Sequence, residues 1–434
     1  MTTATSFAAP PGPRLPRALQ LPRFVVRPGG VLARSQARYG DIFTLRIEPH
    51  ADWVVVSEPD AVAAIFRMGP QDFRAGTDIL RPVLGDHSLL TLDGEEHLRQ
   101  RRLLLPPFHG DRMQRYREVV RDATLAALDR MPQDRPFALR EHTQAITLDV
   151  ILRAVFGVEG AGTSRLRRRL ERLLHWLSGP AALLAQTALG PDSRLARAHR
   201  STAVDPVDVE LRRLITQRRA APDLDERDDI LSMLLLARDE DGGAMTDVEL
   251  RDELLTLLVA GHETTATGLA WAMERLTRTP QTLDRLSAEA RAGGSAYTDA
   301  VVKETLRLRP VVMAVMRTLE ADTVLAGHAL PARTKVVASI YLMHRRPELY
   351  PEPFAFRPER FLGGDGPSSA YAWIPFGGGI RRCIGAAFAQ MEMEVVLQTL
   401  VAQARFAPVG PPEHAVRRSV TRAPQRGGEV VMSR

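Results

Sequence analysis

The sequence predicts a mainly α-helical protein with small β-sheets. Between residues 95 and 293, apolar residues recur at three- and four-residue spacing, which is typical of helices with one buried face. Apolar residues alternate or cluster around turn signals at 42–56, 316–343 and 416–432, which favours strands. Periodicity by itself predicts no fold more specific than this.

The β-rich regions lie towards the two ends of the chain. Residues 42–47 and 53–56 flank a polar turn and predict a β-hairpin. A helical pattern over 386–404 is followed by paired strands with a turn at Gly427 and Gly428. Helices therefore account for most of the chain between two small strand regions.

Length and composition favour one large domain. The chain has 434 residues, with no internal repeat and no long Ser/Gly linker. We predict a single domain over residues 21–434, preceded by a Pro-rich, loosely ordered segment at 1–20. The formal net charge is +6, and a basic surface can attract nucleic acid. No nucleic-acid motif supports that partner, so we expect an acidic protein partner instead.

The cysteine count and the hydropathy bear on location. One cysteine excludes an intramolecular disulfide and fits a reducing cytoplasm. Residues 1–16 contain no apolar run typical of a signal peptide or anchor. The apolar stretch at 180–189 is too short to span a bilayer, and we regard it as a candidate lid touching membrane or substrate. We expect a cytoplasmic monomer with no transmembrane segment.

The longest predicted helix carries an acid and an alcohol in its middle. Thr246 and Glu249 match the Ser/Thr-x-x-Glu capping box, and the pattern runs on until Pro280, which gives a length of roughly 50 Å. Its central stretch reads Ala260-Gly261-His262-Glu263-Thr264-Thr265. A glycine and a threonine that bonds a backbone carbonyl can bend a helix here. An alternative is a polar helix face with Glu263 in a salt bridge.

The only cysteine lies in Phe376-Gly377-Gly378-Gly379-Ile380-Arg381-Arg382-Cys383-Ile384-Gly385. Glycines let a backbone approach a flat cofactor closely, and a thiolate is a soft metal ligand. An arginine two residues away can hold a carboxylate. The alternative is a buried structural thiol, which is the usual role of an isolated cysteine.

These two segments resemble signatures of bacterial cytochromes P450, the haem-thiolate monooxygenases. The cysteine segment fills every fixed position of Phe-Gly-x-Gly-x-Arg-x-Cys-x-Gly, and the helix segment matches Ala-Gly-x-Asp/Glu-Thr-Thr. The resemblance implies a triangular helical prism with a long central helix and a β-rich N-terminal region. It also implies haem b with Cys383 as the axial metal ligand. The cofactor-binding positions of the signature are Phe376, Gly377, Arg381, Cys383 and Gly385.

The resemblance assigns roles to further polar residues. Glu263 and Thr264 would be catalytic, Glu263 relaying protons from solvent and Thr264 hydrogen-bonding near bound O₂. Glu304 and Arg307 match Glu-x-x-Arg, and Arg360 lies in the partner motif Pro-Glu-Arg-Phe. The family relationship implies that these last three form a buried network behind the cysteine loop.

The same resemblance predicts haem propionate ligands and one departure. His97 and Arg101 are four residues apart on a predicted helix, and Arg317 is a further propionate candidate. At Arg346 many relatives carry an aspartate, so a local ion pair of the family is not expected here.

The predicted substrate pocket is apolar. Relatives build it from the loop before the His97 helix, the central helix, the strand after Arg307 and the last hairpin. A largely hydrophobic ligand would suit such a lining: a terpenoid, fatty acid, steroid or polyketide, as in secondary metabolism. The same residues are also consistent with ordinary core. The pocket candidates are Ile79, Leu80, Val83, Leu84, Leu257, Ala260, Val312, Met313, Ala314 and Val420.

We expect an enzyme that inserts one oxygen atom of O₂ into a hydrophobic substrate by hydroxylation or epoxidation. No flavin- or nicotinamide-binding segment is visible, so electrons from NAD(P)H should arrive through a separate ferredoxin and its reductase. An acidic ferredoxin would dock on a basic face that includes Arg99, Arg102, Arg112 and Arg115. A peroxygenase is an alternative that the Glu263-Thr264 pair disfavours, and a non-catalytic haem sensor or carrier is a second.

Overall fold

The computed structural model describes residues 9–48, 51–110, 112–157, 161–178, 194–363, 369, 371–418 and 420–434. The candidate lid at 180–189 lies outside them. Helices dominate the described residues, as predicted. In chain order they are α1 (Arg17–Val26), α2 (Pro28–Tyr39), α3 (Pro59–Arg67), α4 (Arg81–Leu84), α5 (Gly94–Leu104), α6 (Arg112–Leu128), α7 (Leu139–Phe156), α8 (Ala161–Ser178), α9 (Arg194–Arg219), α10 (Ile230–Leu236), α11 (Asp247–Leu276), α12 (Pro280–Ala292), α13 (Ala296–Leu308), α14 (Ile340–Met343) and α15 (Ala386–Gln403).

The strands in the described part of the chain form four small sheets. They are β1 (Ile42–Leu45), β2 (Trp53–Val56), β3 (Phe73–Arg74), β4 (Pro136–Ala138), β5 (Val315–Leu319), β6 (Thr323–Leu325), β7 (His328–Leu330), β8 (Lys335–Ala338), β9 (Arg405–Pro408), β10 (Ala415–Arg418), β11 (Thr421–Pro424) and β12 (Glu429–Ser433). The sheet orders are β1-β2-β8-β5-β3, β4-β12-β9, β6-β7 and β10-β11. This architecture confirms the predicted fold class.

The chain divides into two compact units, and the first holds the five-stranded sheet. It comprises Met1–Gly76, Asp93–Leu98 and Leu306–Cys383. The predicted N-terminal hairpin is present, with Ile42 opposite Val56, and β2 continues the sheet through a parallel pairing with β8. One face of this sheet packs on α3 through residues such as Val62 and Ile65.

The second unit is built around the helix α11. It comprises Thr77–Leu92, Arg99–Thr305 and Ile384–Arg434. Thr246 caps the helix through the predicted capping box, because its side chain accepts the Glu249 N–H while the Glu249 side chain accepts the Thr246 N–H. Most of its 30 residues are buried. A helix buried on nearly every side belongs in the centre of a large core.

Residues before the first sheet are held by backbone contacts. Pro10 and Pro11 accept hydrogen bonds from the Thr44 hydroxyl and the Thr44 N–H, at 2.7 and 2.9 Å. Helix α1 begins at Arg17, within the segment predicted to be loosely ordered. Of the helices in the described part of the chain, none is both long and apolar enough to cross a membrane.

Arg346 forms an ion pair of its own. Its Nη1 lies 2.7 Å from Asp41 Oδ1 and donates to the Ser57 carbonyl at 3.0 Å. Burial raises the pKa of Asp41, but hydrogen bonds from Arg346, Gln36 and Ser57 and the charge of Arg346 outweigh it and hold the pKa below its ordinary value. The arginine therefore ties the β1 end of the sheet to the segment after α14.

Arg346→Asp should lower the free energy of unfolding by about 2 kcal/mol, because it sets two carboxylates against each other in a partly buried site. Urea unfolding measures this. The double exchange Arg346→Asp with Asp41→Arg should recover part of the loss. The wild-type contribution is present above the ordinary aspartate pKa and is lost as the pH falls through the lowered pKa of Asp41. An equal loss in the single and double variants would contradict this ion-pair interpretation.

Candidate functional site

The segment that carries Cys383 is a closed loop. The Cys383 N–H donates to the Phe376 carbonyl at 3.0 Å, and the Arg382 N–H donates to Gly379 at 3.0 Å. The Phe376 ring packs edge-on against Trp373, with centroids 5.9 Å apart. Cys383 itself is exposed. The structure therefore contradicts the alternative that this thiol is a buried structural one.

Glycines are required where this loop meets α3. Gly377 and Gly379 have φ of +68° and +67°, a region that side-chain-bearing residues rarely adopt. A Cβ on Gly379 would lie 2.0 Å from the Phe66 carbonyl oxygen, and one on Gly378 would lie 2.5 Å from the Phe66 ring. Close packing against Phe66 thus holds the loop while the Cys383 side chain stays accessible.

Arg307 organises the segment that leads to the loop. Its guanidinium is fully buried and donates to the carbonyls of His344 and Pro353 at 2.8 Å and of Ala355 at 3.1 Å. The ring of Tyr350 lies 5.0 Å from the charged carbon. Burial lowers the pKa of His344 far below its ordinary value, as does the charge of Arg307, so this histidine is neutral. Its Nε2 accepts the Ile374 N–H at 2.9 Å.

Glu304 and Arg360 are the other members of the predicted Glu-x-x-Arg network. Glu304 is fully buried but belongs to the second unit, whereas Arg307 and Arg360 belong to the first. Arg360 Nη1 donates to the Pro351 carbonyl at 3.2 Å, so Arg307 and Arg360 both bind carbonyls of the 344–355 segment.

Two predicted haem contacts gather around Asp93. Arg381 Nη1 lies 3.5 Å from Asp93 Oδ1, and this oxygen also accepts the Ala75 N–H at 2.7 Å. Arg317 is only 6% exposed and its buried Nε has no hydrogen-bond partner among the described residues. Burial, and then the charge of Arg381, lower the pKa of Arg317 to about 10. His97 is buried, and its backbone N–H donates to the Asp93 carbonyl at 3.2 Å.

This cluster fits a dianionic cofactor. Two guanidinium groups with low exposure lie near the Asp93 carboxylate, and the Arg317 Nε is buried without a hydrogen-bond partner among the described residues, so an anion placed here would be stabilised. The exposed thiol at the end of the glycine loop supplies a soft ligand. These residues therefore match a haem, whose iron takes a thiolate and whose propionates take arginines. Arg101, also predicted as a propionate ligand, is half-buried on α5 in the second unit.

The acid and the alcohol lie on α11 in the second unit. The Thr264 hydroxyl donates to the Ala260 carbonyl at 2.7 Å. The Glu263 carboxylate forms a salt bridge with Arg140 at the start of α7 and accepts a hydrogen bond from Gln144 at 2.8 Å. The Thr421 hydroxyl on β11 donates more weakly to Glu263, at 3.5 Å. The predicted alternative of a salt bridge for Glu263 is therefore present.

Sequence reasoning missed the residues that hold Glu263, and three of them are distant in the chain. Arg140, Gln144 and Thr421 are 119 to 158 positions away along the chain. The neighbouring His262 is also buried, and burial lowers its pKa to about 4, so its ring is neutral. No local spacing could have identified Arg140, because the packing of α7 against α11 creates the pair.

The pocket candidates fall into different environments. Val83, Leu84 and Leu257 are buried, whereas Ile79 and Val420 are 58% and 59% exposed. Met313 and Ala314 pack against the core of the first unit. The remaining candidates, all partly buried, are Leu80, Ala260 and Val312.

Comparisons with known proteins agree with this geometry. The family model described as Cytochrome P450 matches residues 10–427. "Putative cytochrome P450 135B1" of Mycobacterium bovis is 42% identical over 410 residues, covering 92% of this chain and 86% of the relative. "Putative cytochrome P450 138" of the same organism is 37% identical over 442 residues, covering 99% of each.

Solved structures show the same fold. The retinoic acid-bound cyanobacterial CYP120A1 superposes with a TM-score of 0.86 at 26% identity, covering 99% of this chain and 100% of that one. The haem domain of cytochrome P450DA gives a TM-score of 0.84 at 22% identity, covering 98% of each chain, and shows the fold alone. The chain belongs to the cytochrome P450 family and is a cytochrome P450 monooxygenase.

Proposed function

We propose that this protein binds haem b through Cys383 and uses O₂ to hydroxylate or epoxidise a hydrophobic substrate. The observation that carries the proposal is the exposed Cys383 thiol in a loop that Phe66 and the Phe376 carbonyl hold closed. The haem supplies the oxygen-activating redox chemistry, which no side chain can perform. The protein contributes ligation, orientation and protons.

Arg317 and Arg381 are assigned to the propionates. Both side chains have low exposure near a single carboxylate, that of Asp93. A propionate beside them would satisfy the buried Nε of Arg317. His97 and Arg101 are proposed as additional donors on α5. Glu304, Arg307 and Arg360 are proposed to stabilise the segment behind the thiolate, without touching the substrate.

Thr264 and Glu263 are assigned to proton delivery. Thr264 offers a hydroxyl that can release the Ala260 carbonyl and turn towards a bound ligand. The side chains of Arg140 and Gln144 hold the Glu263 carboxylate. A carboxylate in a salt bridge can carry a proton only when it moves away from the cation, or when it exchanges the proton with an adjacent hydrogen-bond donor. Arg140 therefore controls when Glu263 is available.

The proposed substrate is a hydrophobic molecule. The pocket candidates on α11 and in the loop before α5 are apolar. The CYP120A1 structure, which shares 26% of its sequence with this chain, holds retinoic acid, a long apolar molecule with one carboxylate. A comparable amphiphile is a reasonable first ligand to test here.

Electrons are proposed to come from NAD(P)H through a ferredoxin and its reductase. Of the arginines expected to form the docking face, Arg99 binds Asp239 and Glu249, Arg102 lies 3.2 Å from Glu240, and Arg115 pairs with Asp228. These partners reduce the positive potential that the arginines offer an acidic protein. Electron transfer should still slow as ionic strength screens the remaining charge.

Cys383→Ser should abolish the Soret absorption shift that carbon monoxide produces in reduced haem-thiolate proteins, because a serine is not a thiolate ligand. The absorption spectrum of the purified variant measures this, and circular dichroism checks that it is folded. The wild-type protein, titrated with fatty acids, terpenes, steroids and macrolides, should show a low-spin to high-spin shift with one class. A folded wild-type protein that binds no haem would overturn the proposal.

Thr264→Ala should leave haem content unchanged and divert electrons to hydrogen peroxide, because the hydroxyl that directs protons is lost. Product per NAD(P)H should fall by roughly a hundredfold, the lower end of general acid–base effects. The measurement is the stoichiometry of NAD(P)H, peroxide and product. Thr277→Ala, at the end of α11, is the matched control, because the Thr277 hydroxyl likewise donates to the carbonyl four residues earlier, at 2.9 Å. Unchanged coupling in Thr264→Ala would remove Thr264 from proton delivery.

Arg140→Gln should lower the free energy of unfolding by about 3 kcal/mol, since it leaves the buried Glu263 carboxylate without its cation. Adding Glu263→Gln should recover much of this loss, and the double-mutant cycle gives the coupling. Urea unfolding is the measurement. Arg434→Gln breaks an exposed pair with Asp129 and should cost no more than about 1 kcal/mol. Strict additivity of the two substitutions would mean that Arg140 does not hold Glu263.

A further inference from the structure

The hairpin formed by β10 and β11 has an unusual charge pattern. No acidic residue occurs between Glu413 and Glu429, whereas arginines stand at 417, 418, 422 and 426. Arg417 lies directly opposite Arg422 in the strand register, and Arg418 lies opposite Thr421. Like charges that face each other across two strands repel. The hairpin thus concentrates positive charge.

The two faces of the hairpin differ. Cross-strand partners share a face, so Arg418 and Thr421 lie on one side and Arg417 and Arg422 on the other. The Thr421 side is the buried side, since Thr421 and Ala423 have no exposed surface. Arg418 is exposed at the end of this inner side. Among the described residues, no carboxylate lies within ion-pair distance of Arg418.

Contacts with α11 place this end of the hairpin beside the predicted chemistry. The Trp271 indole donates to the Arg422 carbonyl at 2.7 Å, and the Thr421 hydroxyl reaches Glu263 at 3.5 Å. Thr421 also donates to the Arg418 carbonyl at 2.8 Å. Thr421, the cross-strand partner of Arg418, therefore links Arg418 to the Glu263-Thr264 segment. Next to it, Val420 presents an exposed apolar side chain.

A cation beside an exposed apolar residue suits one kind of ligand. An anionic group would compensate Arg418 and reduce the repulsion in the hairpin, while the apolar remainder of the same molecule would cover Val420. Arginine binds carboxylates with two parallel hydrogen bonds. Glu263 cannot serve as that anion, because Arg140 already holds it.

We infer that Arg418 binds the carboxylate of a hydrophobic carboxylic acid substrate, with Arg417 and Arg422 adding positive potential. This inference rests on the proposed function, which it narrows from any apolar molecule to an anionic amphiphile. The oxidised carbon would lie in the apolar part of that molecule. Arg418 acts as a specificity residue and takes no part in the oxygen chemistry.

The test compares acids with their uncharged esters. Hexadecanoate and retinoate, each against its methyl ester, are bound to the wild type, Arg418→Gln, Arg417→Gln and Arg405→Gln. Dissociation constants come from the haem spin-state shift and, independently of haem, from equilibrium dialysis. Arg405 is the matched control, because it is an exposed strand arginine on β9, outside the hairpin. Urea unfolding of each variant without ligand checks folding.

At least one acid should bind the wild type about 10-fold more tightly than its ester, in line with the energy of a charged hydrogen bond. Arg418→Gln should abolish that preference, Arg417→Gln should reduce it, and Arg405→Gln should leave it unchanged. Equal binding of acid and ester, no binding of either, or a preference that survives in Arg418→Gln would overturn the inference. A spin-state shift with uncharged ligands alone would overturn it and leave the proposed monooxygenase intact, whereas absence of haem would overturn the proposed function.

Discussion

The cysteine segment depends on the hydrogen bonds that the buried guanidinium of Arg307 donates. It donates to three carbonyls between residues 344 and 355. From there His344 binds the Ile374 N–H, and the Tyr350 hydroxyl donates to Ala372 at 3.0 Å. These bonds reach the residues just before the glycine loop. An irregular segment without regular secondary structure needs such partners, because its carbonyls would otherwise be buried without donors.

Arginine has two distinct uses in this protein. In the first, each guanidinium meets carboxylates or carbonyls and holds elements together. Arg218 binds Asp229, the Ser232 hydroxyl and the Phe156 carbonyl, and Arg251 binds Asp208 and Asp252. Removing one partner from such a buried set would leave an uncompensated charge. These pairs therefore stabilise the fold.

In the second use, guanidinium groups lie where an anionic ligand could reach them. Arg381 pairs with Asp93 close to Arg317, and Arg418 ends the inner side of a hairpin that contains no acid. Buried or crowded cations are costly unless an anion is supplied. We propose that the first cluster binds the cofactor's carboxylates and the second a substrate's.

Local patterns were sufficient for most of the elements. The capping box located the start of α11 because a cap involves only residues three positions apart. Alternation located the β1–β2 hairpin for the same reason, since neighbouring strands joined by a short turn need no distant partner. The two signature segments were equally readable, because each lies within ten consecutive residues. The departure at Arg346 was also visible, although not its new partner.

The sequence by itself determined the helix-rich fold, the family and which cysteine lies in the signature segment, since these depend on short-range order and on residue type. Only the tertiary structure decided which charges meet. It paired Glu263 with Arg140, gave Arg346 the carboxylate of Asp41, and left Arg418 exposed beside the acid–alcohol segment. These outcomes depend on packing between elements more than a hundred residues apart, and electrostatic energy depends on distance and burial that no sequence spacing contains.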